Sequence, residues 1–304
     1  MGLRFGLFGT GNWAAKTHAP AIVGHPGAEL VGVWGRDPAK AADLADRYGV
    51  RPYSDVDDLI ADVDAVAVAL PPDVQAPIAV RAAEAGRHLL LDKPLALDLA
   101  EADRVVDAVR RTGVASVLFF TNRFRSTVVD FLDRAVATGG WTGSRSILFA
   151  SIFEPGSPHT GSTWRRRHGG LWDVGPHLLS LVVPVLGPVT QVAAMDAPDH
   201  TAHLLLRHAG GAASTMSLTV DGPPAARTNE VTFFGTAGLA TVPAGDTTAV
   251  EALTAAVDVL LDEIATGARG GLVDVRFGRD VVAVLAAAEL ARTGAGTVPV
   301  VPAR

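Results

Sequence analysis

The sequence predicts an α/β protein with a doubly wound parallel sheet, followed by an α+β domain with a mostly antiparallel open sheet. A glycine-rich turn, Gly9–Ala14, directly follows an apolar run that is typical of a buried strand, Leu3–Phe8. Short apolar runs and helical stretches then alternate to about Thr121, which is typical of a parallel sheet covered by helices on both faces. Beyond about Asn122, alternating apolar and polar residues between glycine-rich turns are typical of antiparallel strands.

The first part is expected to contain short strands joined by helices. The predicted strands are Leu3–Phe8, Glu29–Trp34, Ala65–Ala69, His88–Leu91 and Ala115–Phe120. The predicted helices are Asn12–Gly24, Pro38–Tyr48, Val74–Ala85 and Leu99–Arg111. Asp37 and Pro38 form a helix start, because an aspartate accepts from the first amide groups and proline suits the first helical position. Asp98 is expected to cap the last of these helices in the same way.

The second part is expected to begin with a helix and to end with two. The predicted helices are Ser126–Ala137, one that begins near Pro176, Val250–Ala265 and Arg276–Arg292. The predicted strands are Ser144–Phe153, Val189–Met195, Ala202–Leu206, Ala212–Val220 and Glu230–Phe234. A chain of 304 residues is long enough for two domains. We expect domains 1–121 and 122–304.

Composition excludes several classes of function. The chain has no cysteine, which excludes disulfides, thiolate metal sites and cysteine nucleophiles and favours the cytoplasm. A net charge of −6 disfavours nucleic acid as a partner. We predict no membrane span, because Pro184 and Pro188 interrupt the apolar stretch Leu178–Val189. We also predict no metal site, because no histidine has a closely spaced ligand pattern.

The glycine-rich turn has the pattern of a pyrophosphate-binding loop. Gly9 permits a tight turn, Gly11 lets the backbone approach a phosphate, and Ala14 is small enough for a helix to pack on the strand. The anion would then lie at a helix N-terminus, where unpaired N–H groups and the helix dipole favour negative charge. The predicted cofactor-binding residues of this turn are Gly9, Thr10, Gly11, Asn12 and Trp13.

The end of the second predicted strand bears on the choice of cofactor. In dinucleotide-binding folds a carboxylate there binds the ribose hydroxyls of NAD, whereas an arginine accommodates the 2′-phosphate of NADP. This chain has Gly35 and then Arg36, whose guanidinium suits phosphate, and Asp37 already caps a helix. We therefore favour NADP. The alternative is NAD, with Asp37 binding the ribose and Arg36 exposed to solvent.

Two further patterns suggest acid–base chemistry. Lys93 follows Asp92 just past the strand His88–Leu91, at the strand edge where ligands bind in open parallel sheets, and it could polarise a substrate oxygen. A lysine in a surface turn is the alternative. Asp173 precedes His177 by four residues near a helix start, where a carboxylate could orient an imidazole that accepts a proton. The alternative is a capping aspartate beside an unrelated histidine.

The residues before Asp173 suggest substrate contacts. Arg165, the first of a basic run at 165–168, could attract an anionic substrate such as a sugar acid or a phosphorylated or nucleotide-linked sugar. A solvated loop is the alternative. Trp164 and Trp172 could stack on a sugar face, or could equally be core residues.

Taken in order and spacing, these motifs resemble the glucose–fructose oxidoreductase, inositol dehydrogenase and rhizopine-catabolism (GFO/IDH/MocA) family over essentially the whole chain. The matching segments are Gly9–Ala14, Leu70–Pro72, Ala85–His88, Asp92–Pro94, Arg123–Phe124 and Gly169–His177. Three positions depart from the family pattern. Asp92 stands for a glutamate, Gln75 for a frequent histidine, and Ser180 for a frequent aspartate that can touch substrate.

The resemblance implies an NAD(P)-binding Rossmann domain at 1–121 and a substrate-binding, oligomerising domain at 122–304, in a homodimer or homotetramer. Lys93, Asp173 and His177 would form the catalytic set around the reacting carbon. Pro71, Asp92 and Lys93 would contact the cofactor, and Arg123 the substrate.

The implied activity is hydride transfer between a nicotinamide and a secondary alcohol or ketone carbon of a sugar, polyol or related small molecule. One alternative is glycoside hydrolysis through transient oxidation by a tightly held NAD. Another is a non-catalytic dinucleotide-binding regulator.

Overall fold

The computed structural model describes residues 2–198, 200–271 and 273–303. The strands in chain order are β1 (Leu3–Phe8), β2 (Ala28–Trp34), β3 (Arg51–Tyr53), β4 (Ala65–Val68), β5 (His88–Asp92), β6 (Ser116–Phe119), β7 (Trp141–Phe149), β8 (Val189–Ala197), β9 (Thr201–His208), β10 (Ala213–Thr219), β11 (Thr228–Gly235), β12 (Gly238–Thr241) and β13 (Val298–Pro299). The α-helices are α1 (Ala19–Gly24), α2 (Pro38–Tyr48), α3 (Val56–Ala61), α4 (Pro72–Glu84), α5 (Leu99–Thr112), α6 (Ser126–Thr138), α7 (Thr163–Asp173), α8 (Gly175–Leu186), α9 (Ala249–Thr266) and α10 (Val275–Leu290).

The chain forms two compact units, each built from two segments. The first unit comprises Met1–Arg125 and Thr247–Arg279, and the second comprises Ser126–Asp246 and Asp280–Arg304. Each unit contains one sheet. The assignment of residues 1–121 to cofactor binding and 122–304 to substrate binding stays a prediction.

The sheet of the first unit is parallel, with strand order β3-β2-β1-β4-β5-β6. This order confirms the predicted doubly wound sheet. The direction of winding reverses between β1 and β4, and ligands of such sheets bind outside the carboxyl ends of the strands at that point. Every residue of β4 is buried, as expected for a strand covered on both faces.

Two predicted helix caps are confirmed in this unit. The Asp37 carboxylate accepts from the amide groups of Ala39 at 3.1 Å and Lys40 at 3.3 Å. The Asp98 carboxylate accepts from the amide of Glu101 at 2.8 Å. A cap of this kind stabilises a helix by about 1 kcal/mol, so each aspartate favours a helix that begins directly after it.

A late segment of the chain returns to the first unit through α9. The His25 ring is buried, and its Nδ1 accepts from the amide of Gly27 at 2.9 Å. Its Nε2 therefore carries the hydrogen and donates to the Asp258 carboxylate of α9 at 2.9 Å. This bond ties the end of α1 to the returning helix.

The second unit contains a mixed sheet with strand order β12-β11-β7-β10-β9-β8-β13. The pair β7–β10 is parallel, and the other described pairs are antiparallel, which confirms the predicted mostly antiparallel sheet. Helices α7 and α8 pack on this sheet. Along β9, Leu204 and Leu206 are buried, whereas Leu205 between them is 54% exposed. One face of the sheet is therefore open.

Among the described residues, one helical stretch is long and apolar enough by composition to cross a membrane, Thr163–Leu186. Its most apolar window is 72% buried inside the fold. Gly169 breaks the helical geometry within the stretch, with φ 62° and ψ −160°. These features are those of core helices.

Candidate active site

The two glycines of the first turn are needed for different reasons. Gly9 has φ 134°, and a Cβ there would lie 2.5 Å from the carbonyl oxygen of Ala69. Its amide donates to the carbonyl of Trp34 at 2.8 Å. Gly11 is exposed, and no heavy atom of the described chain lies within 4 Å of where its Cβ would be. The fold itself requires Gly9, whereas Gly11 leaves open space in which a ligand could approach the backbone.

A helix begins immediately after this turn. It starts at Asn12, passes through a π-helical segment at Ala14–His18 and continues as α1. The first amide groups of a helix have no partner within it, so they are available to an anion. Segments of π-helix are frequent at functional sites. The turn thus combines open space at Gly11 with the first amide groups of a helix, the two features expected there from the sequence.

The side chain of His18 is completely buried behind this turn. Its ring lies edge-on to Trp13, with centroids 6.5 Å apart, and edge-on to Phe119 at 6.2 Å. Within the described chain, neither ring nitrogen has a hydrogen-bond partner of normal geometry. Burial lowers the pKa of His18 to about 4, and the Trp13 backbone offsets only part of this effect. His18 is therefore a neutral packing residue near pH 7.

The position just after β2 is crowded by Thr10. A Cβ on Gly35 would lie 2.5 Å from the methyl group of Thr10, so a carboxylate at this position would require Thr10 to move. Arg36 is exposed beside it. A shallow pocket next to Thr10 is lined by a second cation, Lys40, whose Nζ lies 3.7 Å from the Asp37 carboxylate. Two cations therefore lie close together along the chain beyond β2.

Lys93 lies in a turn that a buried glutamine holds in place. The Gln75 side-chain amide donates to the carbonyls of Asp92 at 2.6 Å, Pro94 at 3.1 Å and Leu95 at 3.4 Å. Its oxygen accepts from the amide of Asp92 at 2.9 Å. The Asp92 carboxylate also accepts from the amide of Lys93 at 2.8 Å. In the sequence, Gln75 is notable only because it replaces a histidine that is frequent in the family pattern. In the structure, its side chain anchors this turn.

The other expected residues of the first unit lie beyond the carboxyl ends of its strands. Pro71 follows β4 and precedes α4, and its carbonyl accepts from the amide of Val74 at 2.9 Å. Arg123 lies in a short 3₁₀ turn after β6, and its amide donates to the carbonyl of Phe120 at 2.7 Å. The structure thus places the glycine turn, Pro71, Lys93 and Arg123 beyond the carboxyl ends of β1, β4, β5 and β6.

Two adjacent glycines shape the site of the second unit. Gly169 has a backbone conformation that other residues rarely adopt. A Cβ on Gly170 would lie 2.8 Å from the Cα of Thr219 in β10, so α7 lies directly against the sheet. These two residues set the position of Asp173 at the end of α7 and of His177 in the first turn of α8.

The Asp173 carboxylate is buried and forms an ion pair. It accepts from Nε of Arg165 at 2.9 Å. The guanidinium of Arg165 also lies 4.6 Å above the ring of Trp164, within cation–π distance. In α8, the hydroxyl of Ser180 donates to the carbonyl of His177 at 2.7 Å. The structure therefore places Trp164, Arg165 and Asp173 in one cluster, and Ser180 is bonded to the helix backbone.

Trp172 has the environment of a core residue. It is 3% exposed, and its indole N–H donates to the carboxylate of Glu289 at 3.2 Å. The ring of His168 lies edge-on to it, with centroids 6.2 Å apart. These contacts favour packing, one of the two roles that the sequence left open.

Comparison with known proteins agrees with this architecture. A family described as an oxidoreductase family with an NAD-binding Rossmann fold matches residues 3–120, and the GFO/IDH/MocA C-terminal domain matches residues 135–241. A dTDP-3,4-didehydro-2,6-dideoxy-alpha-D-glucose 3-reductase of Streptomyces antibioticus is 30% identical over 78% of this chain and 74% of its own length. The chain belongs to the GFO/IDH/MocA family of oxidoreductases.

Coverage differs among the curated relatives. An uncharacterized oxidoreductase of Rhizobium meliloti is 40% identical, but the match spans 36% of this chain and 34% of that protein. The match to an uncharacterized oxidoreductase of Escherichia coli, at 34% identity, spans 61% of this chain and 54% of that protein. The chain thus matches between a third and about half of these two relatives.

Solved structures match over nearly the whole chain. GenD2 from gentamicin A biosynthesis, in complex with NAD, has a TM-score of 0.86 and 22% identity, covering 98% of this chain and 96% of its own. The WlbA dehydrogenase of Bordetella pertussis, in complex with NADH and UDP-GlcNAcA, has a TM-score of 0.84 and 24% identity, covering all of both chains. At these identities the likeness supports the fold.

Proposed function

We propose that the chain catalyses hydride transfer between a nicotinamide dinucleotide and a secondary alcohol or ketone carbon of a sugar, polyol or related small molecule. The observation that carries this proposal is the open glycine turn at the carboxyl end of β1, where the winding of the parallel sheet reverses. Family membership and the sugar-related names of the relatives support it.

The residues present suit a dinucleotide. Gly11 leaves room for a diphosphate against the first amide groups of the helix, and Thr10, Asn12 and Trp13 complete that turn. Pro71, Asp92 and Lys93 would flank the nicotinamide half. We favour NADP over NAD, because position 35 lacks a carboxylate and Arg36 and Lys40 offer cations for a 2′-phosphate. NAD in the solved relatives makes NAD the alternative.

When bound, the nicotinamide would supply or accept the hydride. His177 would exchange the proton of the substrate hydroxyl, and Asp173 would orient His177. Lys93 would hydrogen-bond the same oxygen as negative charge develops on it, which is the interaction that lowers a barrier of this kind most. Arg123 and Trp164 would contact the substrate. The anchoring of the Lys93 turn by Gln75 supports a role that needs a fixed ammonium position.

We further propose that the chain forms a homodimer or homotetramer through the open face of its second sheet. Leu205 is 54% and Met195 67% exposed, and monomeric proteins rarely leave large apolar patches uncovered. Replacing Leu205 with lysine should then yield monomers in light scattering. An oligomer unchanged by Leu205→Lys would contradict the use of this face.

A panel of sugars, inositols, sugar acids and nucleotide sugars, scored by nicotinamide absorbance with NAD and NADP in parallel, tests the proposed activity. We expect turnover with at least one compound and a higher kcat/KM with NADP. The Lys93→Met variant is the matched control for contaminating activity. Glycoside cleavage without net change in absorbance would favour the hydrolase alternative, and no turnover together with tight dinucleotide binding would favour a regulator.

A further inference from the structure

We infer that Arg165 is a positioning residue, which holds the carboxylate of Asp173 in place instead of binding the substrate. This inference rests on the proposed function, in which Asp173 orients His177. It differs from the expectation based on the basic run at 165–168. The structural reason is the ion pair between Arg165 and Asp173.

The ion pair is largely shielded from water. The side chain of Asp173 is 9% exposed and that of Arg165 24%, and Nε lies 2.9 Å from Oδ2. Removing one partner of a largely buried ion pair is strongly unfavourable, so a substitution at Arg165 would favour a new position or a new proton state of Asp173. A carboxylate has two oxygens and can accept from several donors, so the pair is compatible with a second partner.

The guanidinium is itself fixed by other contacts. Its Nη1 donates to the hydroxyl of Ser162 at 3.3 Å, and its Cζ lies 4.6 Å from the centre of the Trp164 ring. A guanidinium held by a carboxylate, a hydroxyl and an aromatic face has lost most of the freedom it would need to follow a substrate. These contacts favour a structural anchor over a mobile anion-binding arm.

The ion pair connects two parts of α7 that are separated by a break in the helix. Arg165 and Asp173 lie on opposite sides of Gly169, where the backbone leaves helical geometry at φ 62° and ψ −160°. The helix hydrogen bonds alone therefore do not fix Asp173 relative to the first turn of α7. The ion pair joins the two sides of this break. Asp173 is the last residue of α7, and only Val174 separates it from Gly175, where α8 begins two residues before His177.

A double-mutant cycle tests this inference, with Arg165→Leu, Asp173→Asn and the double variant assayed on the fastest substrate of the panel. We expect Arg165→Leu to lower kcat on the order of 10²-fold, since small misplacements of a reacting group have effects of that size. KM for the substrate should change by less than about threefold. On the Asp173→Asn background, Arg165→Leu should change kcat by less than about threefold, because no charge is left to hold.

Two further variants separate charge from geometry. Arg165→Lys keeps the charge and should recover part of the lost kcat. Arg167→Leu removes an exposed cation from the same helix and should leave kcat within about twofold, as expected for a surface position. If Arg165→Leu does not fold, the same cycle is measured with Arg165→Gln, which also removes the charge. The thermal unfolding midpoints of the four proteins in the cycle should also be non-additive.

The outcomes distinguish this inference from the proposed function. If the losses of kcat/KM in Arg165→Leu and Asp173→Asn multiply in the double variant, and Arg165→Leu acts mainly by raising KM, then Arg165 contacts the substrate. This result would overturn the inference. Additive unfolding midpoints would show that the ion pair does not form in solution, with the same consequence. Turnover unaffected by Asp173→Asn would instead contradict the proposed role of Asp173, whatever the effect of Arg165→Leu.

Discussion

The buried imidazole of His18 makes the stability of this protein depend on pH in a way that can be calculated. Its ring is fully buried between aromatic rings, and its pKa is lowered from 6.5 to about 4 because burial disfavours the charged form. Below pH 6.5 the unfolded chain therefore binds a proton that the folded chain does not. The contribution to stability is fully present above pH 6.5 and is lost as the pH falls towards 4.

The size of the effect follows from the difference between the two pKa values. One pKa unit corresponds to about 1.4 kcal/mol, so His18 should lower the free energy of unfolding by about 2 kcal/mol at pH 5 and about 3 kcal/mol at pH 4. Replacement by leucine removes the titrating group and also removes two buried ring nitrogens that, within the described chain, have no hydrogen-bond partner of normal geometry. We therefore expect His18→Leu to be close to wild type in stability near pH 7 and more stable than wild type in acid.

Urea unfolding of both proteins, followed by tryptophan fluorescence between about pH 4.5 and 8, measures this difference directly. Comparing the two proteins cancels the titration of all other groups that they share. Phe124→Leu is the matched control, because Phe124 packs on Phe119 at a centroid distance of 5.6 Å and does not titrate. Its stability difference from wild type should not vary with pH. A difference between wild type and His18→Leu that is equally flat would refute the reasoning.

Three further predictions concern the proposed cofactor site and the Lys93 turn. Arg36→Gln should raise the KM for NADP about 10- to 100-fold, because the 2′-phosphate loses a charge-assisted hydrogen-bond partner, and should leave the KM for NAD within about threefold. Equal effects on the two KM values would contradict the NADP assignment. Gln75→Leu should lower the free energy of unfolding by about 1–3 kcal/mol, since it removes the amide that donates to the carbonyls of Asp92, Pro94 and Leu95. It should lower kcat more than cofactor affinity, and an unchanged kcat would show that the turn does not need this anchor. Gly11→Ala should leave the thermal unfolding midpoint unchanged but weaken dinucleotide binding in calorimetry. Gly9→Ala should lower the midpoint, because its Cβ would lie 2.5 Å from a backbone oxygen. A lower midpoint for Gly11→Ala than for Gly9→Ala would contradict this account of the turn.

Local signals in the sequence were sufficient to predict most strands of the sheet in the first unit. Apolar runs predicted β1, β2, β4, β5 and β6, and the caps at Asp37 and Asp98 lie where the pattern indicated. The strand β3 was missed because Arg51–Tyr53 is a three-residue edge strand with a proline in its centre, too short for any periodicity. The parallel pairing of β7 with β10 likewise has no local signal, since pairing partners are chosen by the whole sheet.

Long-range contacts account for what the sequence did not reveal. The return of α9 to the first unit brings His25 into contact with Asp258, although the two residues are separated by more than two hundred positions. Gln75 contacts the Lys93 turn across seventeen or more positions, so its anchoring role is invisible in a motif. Arg165 was noticed for its charge, and only the structure shows that Asp173 is its partner. The roles of Lys93 and His177, and a cytoplasmic location, stay predictions.

The most direct test of the proposed chemistry is steady-state turnover of Lys93→Ala and His177→Ala, measured beside dinucleotide affinity in the same preparations. The proposal predicts that either substitution abolishes measurable turnover while NADP binding remains within about threefold of wild type. In the proposed mechanism both side chains would act on the reacting oxygen, and neither would supply most of the binding energy. Wild-type turnover in both variants would contradict it.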